Sequence, residues 1–275
     1  MGTIADRTVL VTGANRGIGR ALVEEALRRG ANRVYAGTRQ PLAHSNGRVT
    51  PLTLDVTNAA HIEEAVEKVE SLDILINNAG LALYDDLSDR AALERHLAVN
   101  LFGTYGVTQA FLPLLGTDAS RTGRPGRIVN ISSSSGKIAS PFLGFYSASK
   151  FGLEGLSESL RRELILFGID VIIIGPGAVV TPIWQKSEAG ITQRFGHTPY
   201  AEALDKFERY SLKEGASGYP PEAIGNAVWR ALTTSRPKVR YAIVPNRLTN
   251  WIIPQMIPMR ILDKLVAQFM GIKRR

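Results

Sequence analysis

The chain contains no cysteine, which excludes a disulfide framework and any thiolate metal site. Its 4 histidines, at positions 44, 61, 96 and 197, lack metal-ligand spacing, so no metal is expected. No Gly-x-Ser-x-Gly elbow occurs, which removes a hydrolase reading of the serine-rich tract 132–135. Pro254 and Pro258 interrupt the apolar C-terminal stretch too soon for a membrane span. The start of the sequence carries no secretory leader, and Asp6 stands where a myristoylation motif needs Ser or Thr, so the expected location is cytoplasmic. Internal repeats and low-complexity linkers are missing too. The 275 residues, 44% hydrophobic, are therefore read as one domain with one sizeable core.

Two features are conspicuously present. The first is a glycine turn, Thr12-Gly-Ala-Asn-Arg-Gly-Ile-Gly19, between an apolar run at 8–11 and an amphipathic stretch at 18–29 that Gly30 can end. Strand, turn and helix in that order bring a helix N-terminus and a close-approaching backbone to an anion such as a pyrophosphate. The second is Tyr146-Ser-Ala-Ser-Lys150. On a helix, residues four apart share a face, so the ammonium of Lys150 lies beside the phenol of Tyr146 and favours its ionised form. An unaided tyrosine titrates near ~10 and is too weak a base to take a proton from an alcohol at neutral pH.

Apolar runs at 33–37, 49–54, 73–77, 127–132, 170–174 and 240–244 alternate with helical stretches at 59–69, 91–115, 145–167 and 221–235. Alternation predicts a doubly wound parallel sheet, Rossmann-like, in a three-layer α/β/α domain with a C-terminal helical tail. Ligands bind beyond the carboxyl ends of such strands, where Gly13, Asn77, Ser133 and Pro176 all fall.

With these motifs in order, the chain resembles the short-chain dehydrogenase/reductase family, in the subgroup with the Thr-Gly-x-x-x-Gly-x-Gly turn and the Tyr-x-x-x-Lys pair. Asp55 in Leu54-Asp-Val56, Asn77-Asn-Ala-Gly80, Asn100 in Val99-Asn-Leu-Phe-Gly103, Ser133, and Pro176-Gly177 with Thr181 complete the likeness. Gly175 departs from it, standing where the family more often has asparagine. The resemblance implies that Tyr146 passes a proton to the carbonyl oxygen, that Ser133 hydrogen-bonds the same oxygen, and that Lys150 also grips the nicotinamide ribose. Asn100 would hold a water linking Lys150 to solvent, or brace a bend in its helix. The nucleotide would be held by Gly13, Asn15, Arg16, Gly17, Ile18 and Gly19, by Thr38, Arg39, Asp55 and Val56, by Asn77, Ala79 and Gly80, and by Pro176, Gly177, Val179 and Thr181, besides Tyr146 and Lys150.

The second strand ends in Thr38-Arg39, with no acid to accept from an adenosine ribose hydroxyl. Arg39 and Arg16 could both reach a 2′-phosphate, so NADP(H) is expected over NAD(H). The tract 180–219 corresponds to the family's variable substrate loop; its Trp184, with Ser133, Phe142 and Tyr146, is expected at a bulky lipophilic substrate of steroid, retinoid or lipid type. The surroundings of Tyr146 look like those of hydroxysteroid- and retinoid-active members. A non-catalytic nucleotide sensor is one alternative, disfavoured because Asn100, Ser133, Tyr146 and Lys150 are all in place; a membrane scaffold using only the tail is the other. By the same resemblance, the helices at 91–115 and 145–167 would pair subunits into a homodimer or homotetramer.

The net charge of +8 lies wholly at the end: from Arg236 to Arg275 there are nine Lys and Arg against the single acid Asp263, while the other 235 residues hold 24 charges of each sign. Residues 1–247 are read as the dinucleotide-binding domain and 248–275 as a basic amphipathic tail, with Ile261, Leu262, Leu265, Val266 and Phe269 striped among Arg260, Lys264 and Lys273-Arg-Arg275. Such a tail either lies in an anionic membrane surface or packs on its own subunit or a partner, covering the mouth of the active site. Aliphatics rather than stacking aromatics separate its basic residues, so no nucleic-acid partner is expected.

Overall fold

The computed structural model describes residues 3–40, 42–83, 89–120, 123–181 and 197–272. Among these residues, seven strands make one sheet: β1 Thr8–Thr12, β2 Arg33–Thr38, β3 Val49–Thr53, β4 Ile74–Asn77, β5 Arg127–Ile131, β6 Asp170–Pro176 and β7 Arg240–Ile243. Their spatial order is β3-β2-β1-β4-β5-β6-β7, every pair parallel. The order reverses between β1 and β4, the switch point at which a doubly wound sheet opens a crevice for ligand.

Helices cover both faces: α1 Gly17–Arg28, α2 Ala59–Lys68, α3 Arg90–Leu97, α4 Thr104–Leu112, α5 Gly144–Glu163, α6 Ala201–Ala216 and α7 Pro221–Thr233. Side chains alternate along each strand, so two cores form. Val9, Val11, Ile76 and Val129 pack against Leu22 and Ala26 of α1 and Val228 and Trp229 of α7. Leu10, Tyr35, Leu75 and Ile128 meet Val107 and Phe111 of α4 on the other face. Full burial of a side chain such as Phe111 stabilises the fold by roughly 1.5–3 kcal/mol.

Two expectations about helices change. The stretch 91–115 is not one regular helix, because a π-helical segment, Ala98–Gly103, joins α3 to α4 and carries Asn100. Within 180–219, α6 replaces much of the expected loop, burying Ala203, Leu204 and Phe207 from one stripe. Residues 182–196, with Trp184 among them, lie outside the described residues.

After β7 the chain runs through a π-helical stretch, Leu248–Ile252, and α8, Ile253–Met256, into α9, Met259–Met270. The inner edge of α9 packs on its own subunit: Met270, Val266 and Ile272 join Leu204 and Phe207 of α6 in the cluster that contains Tyr146. Phe269 meets the Tyr210 ring edge-on at 5.2 Å. Ile261 and Leu265 face outward, 52% and 49% exposed. Among the described residues no helix is long and apolar enough to cross a membrane.

Candidate active site

A cavity of about 920 Å³ opens at the carboxyl ends of β1, β2, β4, β5 and β6. One end is built from the glycine turn. Gly13 has φ +67°, and a Cβ there would lie 2.9 Å from the Ala79 Cα; a Cβ on Gly19 would overlap the Gly13 carbonyl. Only glycine fits either place. Arg16, at the N-cap of α1, supplies no side-chain cap, and the first turn of that helix carries no acid. Its free N–H groups and positive dipole end face the same wall as Gly13 and Asn15, which suits a pyrophosphate.

The next stretch of wall holds Thr38, Arg39, Gln40, Asp55 and Val56. Thr38 is tied down, its hydroxyl donating to the Gln40 carbonyl. Burial works against ionisation of Asp55, but the Thr57 backbone N–H and hydroxyl donate to it at 3.0 and 2.7 Å, and the charge of Arg39 adds to them, so its carboxyl titrates below the ordinary range.

At the catalytic end, Ser133, Tyr146 and Lys150 all line the cavity. They lie 8%, 9% and 5% exposed, so a charge on any of them sits in surroundings of low dielectric. Tyr146 and Lys150 share a face of α5, with the Lys150 Nζ 5.8 Å from the phenol ring centre and donating to the Ile131 carbonyl at 2.9 Å. Ser133 lies two residues past β5 in extended backbone, where its hydroxyl accepts from the Ser135 N–H at 3.1 Å. Burial pushes the Tyr146 phenol above its usual value, against the pull of a Ser133 hydrogen bond. The expected lowering by Lys150 does not prevail over burial of the phenol, and burial also pushes the Lys150 ammonium down, to about 8, despite the nearby carboxylate of Glu154.

Asn100 stands in the π-helical segment, where one extra residue per turn redirects a side chain. Its amide accepts from the Leu81 N–H and donates to the Leu81 carbonyl and the Ser149 hydroxyl, each at 2.9 Å. Ser149 in turn donates to the Tyr146 carbonyl at 2.7 Å. Asn100 thereby ties the loop after β4 to the helix that carries Tyr146.

The structure gathers Gly13, Asn15, Arg16, Gly17, Ile18, Gly19, Thr38, Arg39, Asp55, Val56, Ala79, Gly80, Pro176, Gly177, Val179 and Thr181 around the same cavity. Asn77 is the exception. It ends β4 with its side chain turned into the sheet, donating to Thr108 and Asn130 at 2.9 Å each. Asn78, one residue on, faces the cavity and donates to the Thr12 and Gly13 carbonyls at 2.9 and 3.2 Å. Strand alternation was the signal that distinguishes the two. Phe142 lies outside the wall, edge-on to Tyr200 at 6.0 Å and Phe207 at 5.5 Å in the cluster flanking Tyr146. Leu81, Ala82 and Leu83 supply apolar wall that the motifs did not point to. Gly175 has a structural reason as well, since a Cβ there would overlap the Arg240 guanidinium.

Residues 7–192 match the family described as short chain dehydrogenase. The NADPH-dependent 3-dehydrocapnine reductase of Ornithobacterium rhinotracheale is 33% identical, over 94% of this chain and 95% of its own. The 3-ketodihydrosphingosine reductase of Bacteroides thetaiotaomicron is 32% identical, over 86% and 87%. A Burkholderia cenocepacia short chain dehydrogenase, solved in complex with NADP, superposes with a TM-score of 0.62 at 30% identity, over 85% of this chain and 95% of that one. The chain thus belongs to the short-chain dehydrogenase family and is a nicotinamide-nucleotide-dependent oxidoreductase of alcohol and carbonyl groups.

Proposed function

We propose that this protein is an NADP-linked reductase of ketones, reversible toward secondary alcohols, acting on a bulky lipophilic substrate of long-chain lipid type. One juxtaposition carries the reading: Ser133, Tyr146 and Lys150 close one end of a cavity whose other end holds Arg16 and Arg39 and, over residues 38–40, no carboxylate. Of the steroid, retinoid and lipid classes, the lipid one is supported by two relatives named for reducing 3-dehydrocapnine and 3-ketodihydrosphingosine. The apolar wall at Leu81, Ala82 and Leu83 and the aromatic cluster around Phe142 suit an alkyl chain.

In this reading the turn of Gly13 to Gly19 holds the pyrophosphate, Arg39 and Arg16 take the 2′-phosphate, and Asn78 replaces Asn77 in fixing the turn. The bound nicotinamide supplies or accepts the hydride. Tyr146, kept protonated at neutral pH by burial, gives its proton to the carbonyl oxygen, while Ser133 orients and polarises that oxygen. Lys150 still carries its proton at neutral pH and holds the cation next to the phenol. Asn100 braces the catalytic helix through Ser149.

The test is fluorescence titration with NADPH and NADH, followed by a ketone panel of 3-ketodihydrosphingosine, a steroid ketone, retinal and a simple alkyl ketone. Tighter NADPH binding and fastest turnover of the keto lipid are expected. Preference for NADH overturns the cofactor assignment, and turnover confined to the steroid or retinal overturns the substrate class.

The tail fits the same picture as a membrane contact. Met256, Met259, Ile261 and Leu265 are exposed beside Arg260 and Lys264, an apolar and basic surface suited to anionic lipid from which such a substrate would arrive. Sedimentation with phosphatidylglycerol vesicles, lost in Ile261→Ser with Leu265→Ser, is the expected outcome; equal sedimentation of both proteins removes this part. Exposed Phe102, Tyr105 and Phe151 support subunit pairing through α4 and α5, checked by sedimentation velocity.

A further inference from the structure

Glu154 sits one turn past Lys150 on α5 and is 2% exposed, a carboxylate that cannot stay charged in the interior without a partner. The partner comes from the edge of the sheet. Arg240, the first residue of β7, donates its Nε to both Glu154 oxygens at 3.0 and 2.9 Å. The same guanidinium donates Nη2 to the Ser133 carbonyl at 3.0 Å. Trp251, brought in by the tail and 8% exposed, stacks its ring 4.3 Å from the guanidinium carbon. Lys137 adds a second cation 3.8 Å from Glu154. Two glycines make the room: a Cβ at Gly175 would overlap Nη2, and one at Gly136 would lie 3.0 Å from a Glu154 oxygen.

Charge neutralisation alone requires only the Glu154 pair. The bond to Ser133 is additional, and it uses the planar fork that distinguishes arginine from lysine. From a position distant from both in sequence, it joins the stretch just past β5 that carries the Ser133 hydroxyl to the helix that carries Tyr146. We propose that Arg240 is a positioning residue, its guanidinium clamped by Trp251 and fixing the Ser133 backbone against Glu154 so that the Ser133 hydroxyl stays in hydrogen-bond register with Tyr146. Gly175 in place of a larger residue is then the space this fork needs. The inference rests on the roles of Ser133 and Tyr146 stated under the proposed function.

Arg240→Lys keeps a cation for Glu154 but cannot serve both Glu154 and Ser133. With the fastest ketone of the panel, its kcat is expected to fall about 10-fold to 100-fold, the scale of a small misplacement of a reacting group, with KM and NADPH affinity near wild type. In a Ser133→Ala background the same change is expected to cost less than about 2-fold, since coupled residues are not additive. An equal loss in both backgrounds overturns the proposal. If Ser133→Ala is itself as active as wild type, the assigned role of Ser133 fails, and the proposal that depends on it falls as well. Should Arg240→Lys not fold, Arg240→Met with Glu154→Gln removes both charges and enters the same cycle, with Glu154→Gln as its reference. The crystal structure of whichever variant folds gives a readout independent of turnover: the Ser133 hydroxyl is expected to shift away from the Tyr146 phenol relative to wild type, and an unchanged Ser133 position overturns the proposal even if no ketone is turned over.

Discussion

The two ends of the cavity are built from different material. The nucleotide end is mostly backbone, with Gly13, Gly17 and Gly19 packed so closely that a Cβ on Gly19 would meet the next turn of chain. The catalytic end is side chains held by other side chains: Asn100 reaches across to Ser149, and Arg240 reaches Glu154 and Ser133, 86 and 107 residues away in sequence. A backbone cradle needs a few adjacent residues and tolerates nothing larger. A side-chain site needs precise partners from distant segments, and it places charges where burial changes their chemistry. The first should therefore fail by collision and the second by lost register or shifted titration.

The largest effect belongs to the catalytic end. Tyr146→Phe removes the proposed proton donor and leaves the ring in place, so kcat/KM is expected to fall about 10²-fold to 10⁴-fold while NADPH binding, followed by fluorescence, is unchanged. Turnover near wild type in this variant would assign proton transfer to another group and leave the cavity without its chemical end.

Next comes Lys150, whose burial is a cost to the fold. Its ammonium is pushed from 10.5 to about 8. Between those values the unfolded chain holds a proton that the folded chain has shed, so stability rises as pH increases through the window and is depressed below it. The span is on the order of 3 kcal/mol at about 1.36 kcal/mol per pH unit. Urea unfolding at pH 7 and pH 10 is expected to show Lys150→Met gaining relative to wild type at the lower pH and losing that advantage at the higher. A constant difference between the two proteins means that Lys150 titrates normally.

The same contrast explains what could be read from sequence. Gly13, Gly17 and Gly19 announce themselves because a cradle made of backbone is contiguous, and the alternation of apolar runs with helical stretches gave all seven strands because most of them are buried on both faces, only the edge strands β3 and β7 being partly exposed. Tyr146 and Lys150 were legible because four residues on a helix is a local relation. Asn77 and Asn78 could not be told apart from the motif, which names a pair; only the pleat of β4 turns the Asn77 side chain away from the cavity and Asn78 toward it. α6 was read as loop although Ala203, Leu204 and Phe207 carry a helical stripe, since the segment was interpreted through the family instead of its own period. Arg240 left two faint marks, a charge opening the short strand 240–244 and a glycine at 175. Nothing local connects them; the β6–β7 pairing and a guanidinium crossing to α5 do.

At the backbone end, Gly19→Ala is expected to cost about 1–3 kcal/mol of stability, because the new methyl meets the Gly13 carbonyl, which cannot swing aside as a side chain can. Differential scanning fluorimetry and NADPH titration together decide it. A fall of about 10-fold to 100-fold in affinity should accompany the loss of stability if the same turn geometry serves both. A full loss of stability with NADPH affinity intact would separate the fold of the turn from its use.

The smallest expected effect tests the one part of the nucleotide end that is not backbone. Arg39 is exposed, so a bond from its guanidinium to a 2′-phosphate is worth less than a buried one, and Arg39→Glu should lower NADPH affinity about 10-fold. The same change places an acceptor where the second strand ends, so NADH affinity should hold or rise, and the ratio of the two dissociation constants is the measurement. Asp55 sharpens the result, because its carboxyl titrates low partly through the charge of Arg39, and Arg39→Glu leaves two acids facing each other. The ratio should therefore depend on pH more strongly in Arg39→Glu than in wild type. If the ratio does not move, Arg16 is the phosphate anchor, and Arg16→Glu should produce the shift instead.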